Sequence, residues 1–126
     1  MKAWKLLIAG LTAETLLLGL AASADTAQIE KGKDLFARRC TGCHATDTNK
    51  EGPRLRGVFG RKAAGVSEFG YSDSLKKLTL RWDDANLDRW LTDPDGMAPG
   101  TDMVFKLNAP DERKAVIAWL KSLVAQ

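Results

Sequence analysis

An all-α fold of three to four helices with one long connecting loop is what this 126-residue chain predicts, and three observations carry that expectation. Apolar residues recur at helical spacing in the second half, first Leu87, Trp90 and Leu91, then Val116, Trp119, Leu120 and Leu123. No segment alternates apolar and polar residues as a half-buried strand does. The stretch between Ala45 and Tyr71 has glycines at 52, 57, 60, 65 and 70 and no helical period, which marks it as loop.

The elements follow in order. The chain opens M-K-A-W-K, runs mostly apolar from Leu6 to Ala22, and closes on Ala22-Ser23-Ala24 before Asp25. A basic start, an apolar run and a small-residue site predict a secretory leader over residues 1–24, leaving 25–126 as the mature domain. Glu14 interrupts the apolar run, and the alternative is a retained anchor that tethers the protein to a membrane. A first helix is expected from about Gln28 to Arg39, where Ile29, Leu35 and Phe36 share a stripe, and a short one from Ser72 to Leu78. The next opens on the cap residue Asp83 and stops at Pro94. The last begins near Pro110, with Asp111 and Glu112 in its first turn and Lys121 near its end.

Charge narrows the function classes. The chain carries 19 basic and 16 acidic residues, and loss of Lys2, Lys5 and Glu14 with the leader leaves 17 and 15. So small and mixed a balance is no nucleic-acid footprint. Export would place the protein in the periplasm, where two cysteines could simply pair.

Both cysteines and the only histidine lie in R-R-C-T-G-C-H-A-T-D, residues 38–47. A structural zinc site wants four ligands and the cluster supplies three. A thioredoxin-like C-x-x-C wants a βαβ setting that is missing, and a plain disulfide leaves His44 unexplained. Covalent haem uses every part: Cys40 and Cys43 can bond to the haem vinyl groups, and His44 can reach the iron. One large apolar cofactor also accounts for a thin core of 102 mature residues and for a long loop that would wrap it. For the sixth iron position the candidates are Met97 and Met103. Pro99-Gly100-Thr101-Asp102-Met103 is the turn-rich setting able to fix one side chain, with Met97 in a looser stretch next in line.

From Gln28 to Leu123 the sequence resembles the class I c-type cytochromes. The resemblance rests on K-G-K-D-L-F, C-T-G-C-H, G-P-R-L-R-G-V-F-G-R-K, Y-S-D-S-L, W-D-D-A-N-L-D-R-W-L-T-D-P, P-G-T-D-M and A-V-I-A-W-L, in that order. It implies a cytochrome c fold around one haem c on Cys40 and Cys43, with His44 and Met103 as axial ligands. It implies that the Pro53 carbonyl orients His44, that Arg61, Tyr71, Ser72 and Trp82 surround the propionates, and that Gly32 and Phe36 pack on Trp119. The sequence departs from mitochondrial members at Asp102, Trp90 and Leu75, where those carry lysine, tyrosine and asparagine, and it lacks the usual glycine after Met103.

The expected function is one-electron transfer between redox proteins that dock transiently at the haem edge, by a monomer with no enzymatic activity and no nucleic-acid partner. Lys33, Lys50, Lys106 and Arg38 are candidate rim charges. A labile Met103 would instead permit peroxidase or gas-binding chemistry.

Overall fold

A computed structural model describes the backbone of residues 11–124, and side-chain burial from residue 21. Its helices are α1 (Leu11–Arg39), α2 (Asp73–Lys76), α3 (Asp84–Thr92), α4 (Pro94–Met97) and α5 (Pro110–Ser122). Among the described residues extended pairing is limited to one antiparallel bridge, Lys62 with Arg81. Of the expected leader, residues 1–10 lie outside the described residues and 11–24 continue α1. No helix among the described residues is long and apolar enough to cross a membrane.

The scaffold is the crossing of α1 and α5. At Gly32 the two backbones come so close that a Cβ there would overlap the Ala115 carbonyl, and only glycine permits the approach. One turn on, the Phe36 ring lies 4.4 Å from that of Trp119. Each helix end is built from local chemistry. α1 closes on Arg38 and Arg39, cations at the negative end of its dipole. α3 starts where Asp83 Oδ1 accepts from Asn86 N at 2.7 Å. α5 has Pro110 at its first position and Asp111 and Glu112 in its first turn.

α3 packs Leu87, Trp90 and Leu91 into the core with Leu35, Phe36, Val116, Ile117 and Leu120. Pro94 does not simply stop the chain, as its position predicted. It opens α4, with no N–H to lose at a first helical position, so Met97 ends a helical turn rather than sitting in a loose stretch. The long loop is also less free than its composition suggests. Gly60 N donates to Trp82 O (2.6 Å), Trp82 N to Arg61 O (2.9 Å), Ala63 N to Leu80 O (2.9 Å) and Gly57 N to Leu123 O (2.7 Å). These bonds satisfy backbone that would otherwise be stranded against the core.

Candidate cofactor site

The C-T-G-C-H segment continues the last turn of α1. Cys40 N bonds to Phe36 O at 2.9 Å, then Cys43 N and His44 N both bond to Cys40 O, at 3.1 and 2.8 Å. No disulfide joins the two cysteines, Cys40 being half-buried and Cys43 exposed. Burial pushes the Cys40 thiol up to about 11, against the opposing pull of the Arg39 cation.

The chain then folds back on the histidine. Gly52 N donates to Cys43 O at 2.8 Å and Lys50 N to Gly52 O at 2.9 Å. This brings Gly52 flat against the imidazole, where a Cβ would overlap the ring. His44 Nδ1 lies 2.9 Å from the Pro53 carbonyl. A carbonyl only accepts, so Nδ1 carries the proton and the Nε2 lone pair is left for a metal. Burial lowers the His44 pKa despite the Pro53 bond, which favours the neutral, ligating form.

Met103 lies between α4 and α5, half-buried against the core. Trp90, on the buried face of α3, donates its indole N–H to Met103 Sδ at 3.1 Å. One sulfur lone pair is thereby taken and one remains. Trp90 in turn packs on Trp82, with ring centroids 5.4 Å apart.

Arg61 donates to the carbonyls of Arg54 (2.8 Å) and Arg56 (2.5 Å). Burial lowers its pKa, and the guanidinium has five N–H donors, so those two bonds leave it able to meet a carboxylate. Tyr71 Oη accepts from Val66 N at 3.2 Å, and Ser72 Oγ accepts from Leu75 N at 3.3 Å as the cap of α2. Accepting in this way leaves the Tyr71 O–H proton to donate, whereas Ser72 Oγ also lies 3.2 Å from Ser74 Oγ.

Linked contacts join these residues into one site: His44 to Pro53, its neighbour Arg54 to Arg61, Arg61 to Trp82, Trp82 to Trp90, and Trp90 to Met103. Around it Leu55, Tyr71, Leu78, Leu80, Met97, Met103 and Phe105 pack on the core while staying partly exposed. Apolar side chains left half-covered beside an imidazole, a thioether and spare donors fit a large apolar group with an iron and acidic side arms. Among the described residues no three His, Cys, Asp or Glu side chains converge as a purely protein-ligated metal centre. Met97 belongs to the apolar shell.

Several contacts have no signal in the sequence. Three of the four candidate rim cations are engaged: Arg38 with Asp34 (2.6 Å), Lys106 with Asp93 (2.7 Å) and Lys50 with the Thr41 carbonyl. The Lys106 contact is a close ion pair off the hydrogen-bond axis, and it holds the Asp93 carboxyl below its ordinary range. Glu68 and Asp47, paired with Arg54 and Arg56, each have a pKa of about 2.

Known proteins resemble this chain over most of its length. The family model described as cytochrome c matches residues 29–124. The chain is 46% identical over 87 residues to cytochrome c2 iso-2 of Magnetospirillum molischianum, covering 67% of this chain and 90% of that one. To cytochrome c of Arabidopsis thaliana it is 40% identical over 96 residues, covering 73% and 86%. Among solved structures, cytochrome cH from Methylobacterium extorquens superposes with a TM-score of 0.70 at 43% identity, covering 74% of this chain and 96% of that one.

Proposed function

The chain belongs to the cytochrome c family and carries one haem c bonded through Cys40 and Cys43, and we propose that it is an electron carrier whose iron is ligated by His44 and Met103. When bound, the haem supplies a one-electron ferric–ferrous couple. The residues do the rest. His44 presents Nε2 because Pro53 holds Nδ1 and Gly52 leaves room for the ring. Met103 presents a soft thioether, and that favours the ferrous state and raises the potential. Arg61, Tyr71, Ser72 and Trp82 would surround the propionates, with the spare Arg61 and Tyr71 donors answering their negative charge. The buried core disfavours added positive charge and pulls the potential the same way.

The single observation that carries this reading is the Trp90 bond to the Met103 sulfur. It fixes an otherwise flexible thioether, and a side chain so tied can return to one metal position in both oxidation states. With His44 and Met103 both engaged, the iron would offer no open site for oxygen or peroxide, and the chemistry it supplies would be outer-sphere, that of a carrier rather than an enzyme. Its partners are a donor and an acceptor redox protein that dock briefly on a monomer. The basic start, apolar run and A-S-A support export to the periplasm with residues 1–24 removed.

Exposure of the ferrous protein to carbon monoxide at neutral pH tests the ligation. The expected outcome is an unchanged spectrum. Rapid formation of a carbonyl adduct would mean that Met103 is labile, and would move the protein to the gas-binding or peroxidase class.

A further inference from the structure

The arm that carries Met103 is bare of backbone hydrogen bonds. Thr101 N bonds to Ala98 O at 3.0 Å and Leu107 N to Leu91 O at 2.7 Å, and residues 102–106 between them make none among the described residues. The arm is a span between two posts. Its first post is turn geometry, with Asp95 Oδ1 accepting from Gly100 N at 2.9 Å. Its second is built from a buried charge that the haem site does not use. Arg113, on the first turn of α5, is 9% exposed. Its Nη1 donates to the carbonyls of Leu107 (3.0 Å) and Asn108 (2.8 Å), and its Nε to Asp88 Oδ1 (2.7 Å) on α3.

A guanidinium leaves water only at large cost unless its protons find acceptors, and here three acceptors from α3 and the arm's end are brought to one fork. We propose that Arg113, oriented by Asp88, is a positioning residue for Met103: it fixes the far post of the arm and so sets how readily the thioether leaves the iron. The proposal rests on the reading of Met103 as axial ligand. Without the fork, the far post keeps only the Leu107 N bond to Leu91 O before the first bond of α5, from the Arg113 amide to Ala109 O. Lysine cannot substitute, because a point charge on a flexible stem does not hold two carbonyls and a carboxylate in fixed directions.

The test uses the haem-loaded protein with Arg113→Lys, Asp88→Asn, Val116→Ala and Met103→Ala. Val116 lies on the same helix, is buried in the core and makes no side-chain hydrogen bond, so its truncation lowers stability without touching the fork's polar contacts. Three quantities are read: the affinity of imidazole for the ferric iron, hydrogen exchange at the Leu107 amide, and the urea midpoint. Arg113→Lys should bind imidazole about tenfold more tightly, the effect of losing roughly one charge-assisted hydrogen bond. Its Leu107 amide should exchange faster than the fall in urea midpoint explains. Asp88→Asn should do the same to a smaller degree, and it decides the matter alone if Arg113→Lys does not fold. Val116→Ala should lose stability with imidazole affinity unchanged. Imidazole affinity in Arg113→Lys and Asp88→Asn no higher than in Val116→Ala would overturn the proposal, provided Met103→Ala alters the spectrum. If Met103→Ala leaves the spectrum unaltered, the ligand assignment fails and the proposal with it.

Discussion

The segment around His44 is held by its own backbone, and the segment around Met103 by side chains from distant elements. On the histidine side, bonds from Cys40, Cys43, His44 and Gly52 link residues no more than nine apart, and Pro53 O completes the set. On the methionine side, residues 102–106 make no backbone bond to described residues, and the ties come from the side chains of Trp90, Asp93 and Arg113 and from Leu107 N to Leu91 O on α3. Local closure costs little chain entropy, whereas distant ties exist only when the whole domain is folded. The difference teaches that one ligand is presented by a motif and the other by the fold. Methionine is therefore the side expected to open first under stress.

The largest effect that could break this comparison is expected at Gly52. In Gly52→Ala the new methyl overlaps the imidazole, so the ring or the 43–52 turn must move and the bond to Pro53 is strained or lost. A loss of roughly 1–3 kcal/mol is expected from urea unfolding. No loss would mean that the histidine turn is looser than its bonds indicate.

Trp90→Phe sharpens the other half. An N–H aimed at the sulfur draws electron density from it and disfavours ferric iron, so removal should lower the potential. A neutral hydrogen bond is worth roughly 0.5–1.5 kcal/mol, or about 20–60 mV for one electron. An unchanged potential in a spectroelectrochemical titration would show that the sulfur is held by something else.

How far each half can be read from the sequence follows from the same contrast. C-T-G-C-H shows itself because its geometry is set within a few residues, and the caps and periods of α3 and α5 show themselves for that reason. α4 escaped because a proline that ends one helix also suits the first position of the next. The extension of α1 back before Gln28 escaped because those residues include the mostly apolar run and A-S-A site that read as a leader. The Asp88–Arg113 pair joins residues 25 apart and has no local pattern to announce it. Trp90 was visible as a substitution for tyrosine, but its distance from the sulfur belongs to the tertiary structure.

The smallest effect is electrostatic. Asp47 and Glu68, held near 2 by Arg56 and Arg54, are depressed below the ordinary carboxylate range. Depressed carboxylates contribute stability that is fully present above their unfolded value, near 4, and lost as pH falls toward about 2. Both groups are exposed, so the contribution is modest and screened by salt. Asp47→Asn with Glu68→Gln should flatten the stability profile only in that window, less so at high salt. The spectrum at neutral pH should not change, because the histidine turn does not depend on either pair. A shifted spectrum would show that it does.

The central claim is that Met103, held from α3, is the sixth ligand. Redox titration of Met103→Ala beside the wild type tests it most directly. The account predicts loss of the sulfur-to-iron charge-transfer band and a fall in potential on the order of 100 mV or more. Retention of both would contradict it and move the thioether to Met97.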